Sequence, residues 1–184
     1  METSKDILIT VMKDKYDHEM GRKDNFETSL NIPITILSAM FAGLYFVITD
    51  SQLISYSCPI TTIKWILISL LFTSCITTMG LLFRVYFGYK RSYCVFPESH
   101  TVFNIDYRRL EDYTKQHSSS DMYESDLSEH LKDNIIKWYL DCNEHNTPVN
   151  DSRAEALFYA RLFLCISLSL GLLLLMFVCI IKSL

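Results

Sequence analysis

The sequence has little glycine and none of the short motifs that mark the common enzyme classes. Its five glycines are spread over 184 residues, and none belongs to a loop that could cradle a phosphate. The motifs of serine hydrolases, zinc proteases and β-lactamases are also missing from any fitting context. We therefore predict that the protein is not an enzyme and that it uses no cofactor.

Cysteine and histidine are present but lack the spacing of metal ligands. The six cysteines form no C-x-x-C pair and have no histidine partner at ligand distance, which argues against a zinc site. Three of them lie in apolar stretches, where a free thiol behaves as a small hydrophobic group. We predict neither a metal site nor a disulfide framework. The cysteines are Cys58, Cys75, Cys94, Cys142, Cys165 and Cys179.

Positive charge is in deficit, and no cleavable leader is apparent. Seventeen basic residues stand against 21 acidic ones, a formal charge of −4. Recognition of nucleic acid through a global field needs clustered lysine and arginine, so we expect no direct sequence-specific nucleic-acid binding. The first 24 residues contain no uninterrupted apolar core, so we expect no signal peptide to be removed.

Three long stretches, in contrast, contain no charged residue. They cover residues 28–49, 65–83 and 162–181, which are 22, 19 and 20 residues long. About 20 apolar residues in an α-helix cross the ~30 Å hydrocarbon core of a bilayer. The sequence thus predicts an all-α integral membrane protein with three transmembrane helices, at about 31–49, 65–84 and 162–181. The first two form a hairpin over 28–84, joined by a short exterior turn.

The remaining residues show the periodicity of polar helices. Apolar residues return every three or four positions over 3–30, which predicts a cytoplasmic N-terminal helix, assigned as region 1–27. Region 85–151 is predicted to be a cytoplasmic helical insert, with helices over 105–116 and 121–144 separated by a serine-rich break. A turn at 145–150, containing Pro148, then leads into the C-terminal helix, region 152–184. Ser152 and Glu155 fit a capping box at its start.

One apolar stripe in the insert has two interpretations. Its residues could pack on the neighbouring helix around Tyr107 and Leu110, or they could dock a partner or another copy of the chain. The stripe consists of Leu127, Leu131, Ile135 and Trp138.

The orientation follows from the distribution of lysine and arginine. The N-terminal segment holds five of them and residues 84–161 hold ten, whereas the hairpin turn and the C-terminus hold one each, Lys64 and Lys182. Basic residues concentrate on the cytoplasmic side of membrane proteins. We therefore predict a cytoplasmic N-terminus and insert and an exterior C-terminus.

The second span carries a face of small and hydroxyl residues. They recur at intervals of four, four, three and four positions, so they share one side of a helix, and Ser74 with Thr78 widens that side. The face could pack and hydrogen-bond to neighbouring helices, or several copies could place it around a pore. It comprises Ser69, Thr73, Thr77, Gly80 and Arg84.

The first span has small residues of its own that could accommodate this face. Ala39 with Gly43 and Ser38 with Ala42 form two small-xxx-small pairs, a pattern that permits close helix approach. After the second span, Arg84 opens a basic and aromatic stretch that includes Lys90 and Arg91. We interpret this stretch as a headgroup anchor, with a lipid or nucleotide site as the alternative.

Two segments suggest a family. A charged helix that ends in GRKDNFETSLNIPITILSAMFAGLY and a returning helix that begins with RAEALFYARLF, together with the hairpin and insert, resemble small membrane effectors of bacterial anti-phage systems. These are SLATT-type proteins and the transmembrane effectors associated with cyclic-nucleotide signalling systems or with retrons.

The resemblance implies a function that the residues alone do not. A cytoplasmic signalling protein, a nucleotide or a retron complex would act on the cytoplasmic regions, and the spans would then oligomerise and permeabilise the bacterial inner membrane. Infected cells would arrest or die. The alternative is an accessory or scaffold subunit whose cytoplasmic helices dock a soluble partner.

Overall fold

The computed structural model describes residues 3–49, 58–87 and 92–183, with the backbone alone for Cys58 and Pro59. Within these residues the chain is helical and contains no strand, which confirms the all-α prediction. The elements are α1 (Ser4–Ser29), α2 (Asn31–Thr49), α3 (Cys58–Phe87), α4 (Ser99–Thr101), a π-helical segment (Val102–Tyr107), α5 (Arg108–His117) and α6 (Tyr123–Ser183).

Three of the described helical stretches are long and apolar enough to cross a membrane. They are Ser4–Thr49, which contains α1 and α2, Ile60–Phe87 and Tyr123–Ser183. The prediction of three membrane-spanning segments is confirmed at the level of length and composition. The predicted hairpin turn lies partly outside the described residues, at 50–57, and so do Tyr89, Lys90 and Arg91 of the basic aromatic stretch.

The chain divides into two compact units. One, here called the charged unit, contains Met1–Lys23 and Lys90–Asn150. The other, the apolar unit, contains Asp24–Tyr89 and Asp151–Leu184. The N-terminal helix and the insert, which are far apart in sequence, thus belong to the same unit.

The apolar unit buries one narrow stripe from each of its long helices. Burial on α3 falls at intervals of four and three residues, and the half-buried and buried positions of α6 from Leu157 to Ile181 alternate in the same way. This seven-residue repeat is the spacing of knobs-into-holes packing. The buried positions of this repeat on α3 are Lys64, Ile68, Leu71, Cys75, Thr78, Leu82 and Val85, and Ser74, next to Cys75, is buried as well.

In the charged unit, α1 runs parallel to the first part of α6. Near the start of both helices, Lys5 Nζ lies 2.6 Å from a Glu129 carboxylate oxygen and Lys132 Nζ lies 2.8 Å from Asp6. Further along, the side-chain amide of Asn143 donates to the Met12 carbonyl over 3.0 Å. Later residues of α1 contact later residues of α6, so the two helices run in the same direction.

An extended segment, residues 92–98, lies along α6 in the opposite direction. The Tyr93 hydroxyl contacts Asn150, the Cys94 backbone contacts Asn146, and the Phe96 ring packs 5.5 Å from the ring of Trp138. As the residue number rises along the segment, the contacted residue on α6 has a lower number, so the segment and α6 run antiparallel. The segment thereby covers a polar face of α6.

The predicted turn at 145–150 is wrong, because α6 continues through it without interruption. Pro148 removes one helical hydrogen bond and leaves the Glu144 carbonyl without its usual donor. Both residues are exposed, so water can pair with that carbonyl. On the opposite side, buried asparagines hold the helix through tertiary hydrogen bonds. The predicted capping box at Ser152 is therefore also wrong, since Ser152 lies inside the helix.

Two other boundaries differ from the predictions. Helix α3 begins at Cys58 rather than at Trp65, because Pro59 is compatible with a first helical turn. Helical structure in the insert begins at Ser99 rather than at residue 105. The serine-rich break is confirmed, as residues 118–122 lie between α5 and α6.

Candidate functional site

The predicted hydroxyl face of α3 lies outside the packing of the apolar unit. Ser69, Thr73, Gly80 and Arg84 are exposed and Thr77 is half-buried. A Cβ atom added to Gly80 would meet open space. The chain's own α2 and α6 therefore leave this face uncovered.

Both threonine hydroxyls on this face donate within their own helix. Thr73 Oγ1 donates to the Ser69 carbonyl over 2.8 Å, and Thr77 Oγ1 donates to the Thr73 carbonyl over 2.9 Å. Each oxygen keeps acceptor capacity that the helix does not use. The two threonines can therefore lie against lipid without an unpaired donor, and they can also accept hydrogen bonds from water.

A second set of hydroxyls on α3 points inward and performs the packing role. Ser74 Oγ lies 2.7 Å from Ser167 Oγ of α6, and Ser167 also donates to the Phe163 carbonyl. The buried Thr78 hydroxyl donates to the Ser74 carbonyl over 2.9 Å. An interhelical hydrogen bond such as the one between Ser74 and Ser167 contributes about 0.6 kcal/mol on average, whereas the Thr78 bond stays within α3. The two interpretations of the hydroxyl residues thus fall on different faces of one helix.

The small residues of α2 do not take part in this packing. Ser38, Ala39, Ala42 and Gly43 are all exposed, and a Cβ atom on Gly43 would meet no atom within 4 Å. The prediction that Ala39 and Gly43 pack against the hydroxyl face is wrong within this chain. The larger side chains on another side of α2, among them Leu37 and Leu44, are buried instead, since they remove more apolar surface.

Arg84 ties the end of α3 to α6 although its side chain is exposed. Its Nη2 donates to Ser152 Oγ over 3.4 Å. A cation is also favourable at this position because α3 ends three residues later and the carboxyl end of a helix carries partial negative charge. The contact is compatible with both predicted roles of Arg84, as an anchor and as a residue at a pore mouth.

A buried arginine, Arg153, joins three helices of the apolar unit. It is 2% exposed, its Nε donates to the Val85 carbonyl over 3.1 Å, and its guanidinium lies 5.1 Å from the centre of the Phe26 ring. Val85 is in the last turn of α3, where carbonyls have no partner within the helix. Arg153 of α6 therefore caps α3 and packs on α1. Sequence analysis did not single it out, although it opens the segment RAEALFYARLF.

In the charged unit, the side-chain amide of Asn146 forms two hydrogen bonds with the backbone of the extended segment, as a neighbouring β-strand does through its peptide groups. Its side-chain amide donates to the Cys94 carbonyl over 2.9 Å, and its Oδ1 accepts from the Cys94 backbone N–H over 2.9 Å. The side chain is fully buried. Asn146 thus pairs with both the N–H and the carbonyl of Cys94, which lies outside any helix or strand.

Asn150 continues this polar face one turn later. Its Nδ2 donates to both the carbonyl and a carboxylate oxygen of Glu19, each over 2.8 Å, while its Oδ1 accepts from the Tyr93 hydroxyl over 2.6 Å. Glu19 is itself buried and forms an ion pair with Arg22 over 3.0 Å. These asparagines lie in the segment predicted as a turn, so their role could not be read from local sequence.

The predicted docking stripe of the insert lies mostly within its own unit. Leu127 is buried, and Leu131, Ile135 and Trp138 are half-buried. The Trp138 ring contacts Phe96 edge to face. The stripe is therefore at least partly covered within its own unit, at Trp138 by the extended segment.

No family model, no curated protein and no solved structure matches this chain. Among the residues that the structure describes, no three histidine, cysteine or acidic side chains are grouped closely enough to hold a metal ion.

We expect Asn146→Leu to destabilise the charged unit by about 2 kcal/mol, because it leaves two backbone groups of Cys94 without partners. Hydrogen exchange followed by mass spectrometry should show faster exchange at residues 92–98. Glu144→Gln, at an exposed position on the same helix, should leave that exchange unchanged. Equal exchange in both variants would show that the Asn146 contacts do not hold the segment.

Proposed function

We propose that this protein assembles from several copies in a membrane and permeabilises it, with α3 lining the passage. The observation that supports this proposal is the exposed face of α3, from Ser69 to Arg84, which the chain does not cover with its own helices. The hydroxyl contact between helices is supplied separately by Ser74, which pairs with Ser167 of α6, and Thr78 is buried on the same inner side. The outer face is therefore available for another purpose.

The chemistry of this face suits contact with water or ions. It offers about one hydroxyl oxygen per helical turn, and Gly80 leaves the backbone accessible. Pores are lined by groups that can replace part of a hydration shell. Because this face lies on the outside of the packed helices, one chain cannot enclose it. Closure around an axis requires further copies, and a cyclic homo-oligomer is the simplest arrangement.

The side chains that flank this face are apolar and also exposed. Leu70, Phe72, Ile76 and Phe83 expose between 47% and 52% of their surface. In a bilayer such side chains can face lipid in the single chain and pack against a neighbouring copy in an assembly. The same helix surface thus serves both states without a charge having to enter hydrocarbon.

The cellular role that we propose follows from the resemblance described above. The protein would act as an effector of anti-phage abortive infection in the bacterial inner membrane, with the N-terminus and insert in the cytoplasm. The absence of charged residues inside the three apolar stretches supports a passive rather than a pumping mechanism, since transport coupled to ions or protons relies on intramembrane charges.

A second candidate function is the docking of a protein partner, and one observation favours it. On α1, Ile7, Leu8 and Val11 are 54%, 38% and 56% exposed, although they belong to the charged unit. An exposed apolar group of this kind fits a protein surface better than a nucleotide. The docking site would then lie on α1 instead of on the predicted stripe of α6.

Expression of the chain with its neighbouring genes tests the proposal. During phage infection, a voltage-sensitive dye should report loss of membrane potential before growth stops, and cross-linking should reveal homo-oligomers. Arrest with an unchanged potential would overturn permeabilisation. If arrest then required Ile7 and Val11, the docking function would take its place.

A further inference from the structure

Two cysteines of the charged unit meet although they are 48 positions apart. The Sγ atoms of Cys94, in the extended segment, and Cys142, on α6, are 2.8 Å apart, and either thiol can donate to the other. Cys94 is half-buried and Cys142 is 2% exposed. Both are free thiols.

The surrounding contacts hold this pair in place. Asn146 bonds both backbone groups of Cys94 and lies one helical turn after Cys142. Two residues after Cys94, the Phe96 backbone N–H donates to the Tyr16 hydroxyl over 3.2 Å, and the Phe96 ring lies 4.7 Å from the Tyr139 ring. The extended segment is therefore held at the cysteine itself and two residues later, and these contacts keep the Cys94 sulfur next to that of Cys142.

We propose that Cys94 and Cys142 form a redox modification site that hydrogen peroxide, or a related hydroperoxide, converts into an intramolecular disulfide. In the first step Cys94 loses its proton and its sulfur attacks one peroxide oxygen. The O–O bond breaks, the leaving oxygen takes up that proton, and Cys94 becomes a sulfenic acid. In the second, the Cys142 sulfur loses its proton and attacks the Cys94 sulfur. The S–O bond breaks, and the departing hydroxide takes that proton. Two thiols and one hydrogen peroxide give one disulfide and two waters, and an organic hydroperoxide gives an alcohol in place of one water.

The order of the two steps follows from exposure. Cys94 is the thiol that peroxide can reach, whereas Cys142 lies against the interior of the unit. Burial raises the pKa of the Cys142 thiol to about 12, and its hydrogen bond to Cys94 adds to the increase. Cys142 therefore keeps its proton and can donate it toward Cys94, which favours Cys94 as the attacking sulfur and Cys142 as the resolving one.

The disulfide would tie the extended segment covalently to α6. Disulfides in reducing compartments are usually transient and regulatory, so a cytoplasmic pair of this kind would report oxidative conditions. The expected structural effect is slower opening of residues 92–98, because the bond closes a long loop of the unfolded chain. This inference stands independently of the permeabilisation that we propose.

Peptide mapping of the full-length chain in lipid nanodiscs tests the site. After treatment with hydrogen peroxide, alkylation in denaturant and digestion without reductant, the peptides of Cys94 and Cys142 should be linked, and four of the six cysteines should remain alkylatable. Reductant should restore six. Cys142→Ser should instead accumulate a sulfenic acid on Cys94 that dimedone traps, and Cys165→Ser, at an exposed position on α6, should leave the linkage unchanged.

Two outcomes would overturn the proposal. One is six alkylatable cysteines after oxidation of the native chain, and the other is a linkage that joins Cys94 or Cys142 to any other cysteine, including one in a second copy. Both outcomes are measured on the native chain, so neither depends on whether a variant folds. Membrane leakage is not part of the readout, and failure here would leave the proposed permeabilisation untouched.

Discussion

Replacing Thr73 and Thr77 together with leucine is expected to lower the rate of dye release from proteoliposomes about tenfold, because it removes the polar lining of the passage. Insertion should not change, since leucine is more favourable than threonine in a bilayer. Oligomer size should not change either, because both side chains donate only to their own helix. Release of carboxyfluorescein measures the leakage rate, and chemical cross-linking on the same vesicles measures the oligomer size.

The matched control is Thr35→Leu combined with Ser169→Leu. These exposed hydroxyls on α2 and α6 also donate to carbonyls four residues earlier in their own helices. Each double variant therefore replaces two hydroxyl side chains with leucine, but only the first changes α3. Leakage that survives in the α3 variant, or falls equally in both, would contradict a passage lined by α3.

Arg153→Met should destabilise the apolar unit by about 3 kcal/mol, the largest effect on stability that we expect from a single substitution. The Val85 carbonyl would lose a donor that carries a charge, and the Phe26 ring would lose its cation–π partner. Methionine fills much of the volume, so the effect comes mainly from lost polar contacts. Thermal unfolding in detergent, followed by loss of soluble protein, should show a lower midpoint.

Arg161→Met supplies the control, because Arg161 is an exposed arginine on the same helix. Its removal should shift the midpoint by less than a quarter as much, given that exposed charges contribute little. Arg153→Lys should fall between the two, since lysine keeps the charge but lacks the guanidinium geometry. A similar shift for Arg153→Met and Arg161→Met would show that the contact with Val85 does not support the unit.

The hydroxyl face shows how far sequence can locate a candidate site. Spacing alone placed Ser69, Thr73 and Thr77 on one side of α3, because the helical period is fixed. It did not distinguish that side from the one with Ser74 and Thr78. Both sides are flanked by apolar residues, so hydropathy does not indicate which side of the helix is buried. The contact between Ser74 and Ser167 of α6 identifies the side that faces inward.

The segment 145–150 shows the opposite case, in which a local signal misleads. A proline within two or three positions of asparagine and histidine favours a turn when the chain is considered alone. In the folded chain, Asn146 and Asn150 bond to Cys94, Glu19 and Tyr93, and these tertiary bonds hold helical backbone across Pro148. The partners come from residues more than 50 positions away, so no local pattern could reveal them.

The sequence by itself determined that the protein is all-helical and has three segments fit to cross a membrane. Both properties depend on the length and composition of continuous stretches of sequence. They do not depend on contacts between distant residues. Only the tertiary structure decided which face of α3 stays exposed, that Arg153 caps α3, and that Cys94 meets Cys142. Those features are contacts between distant residues, and they exist only once α1, α3 and the extended segment pack against α6.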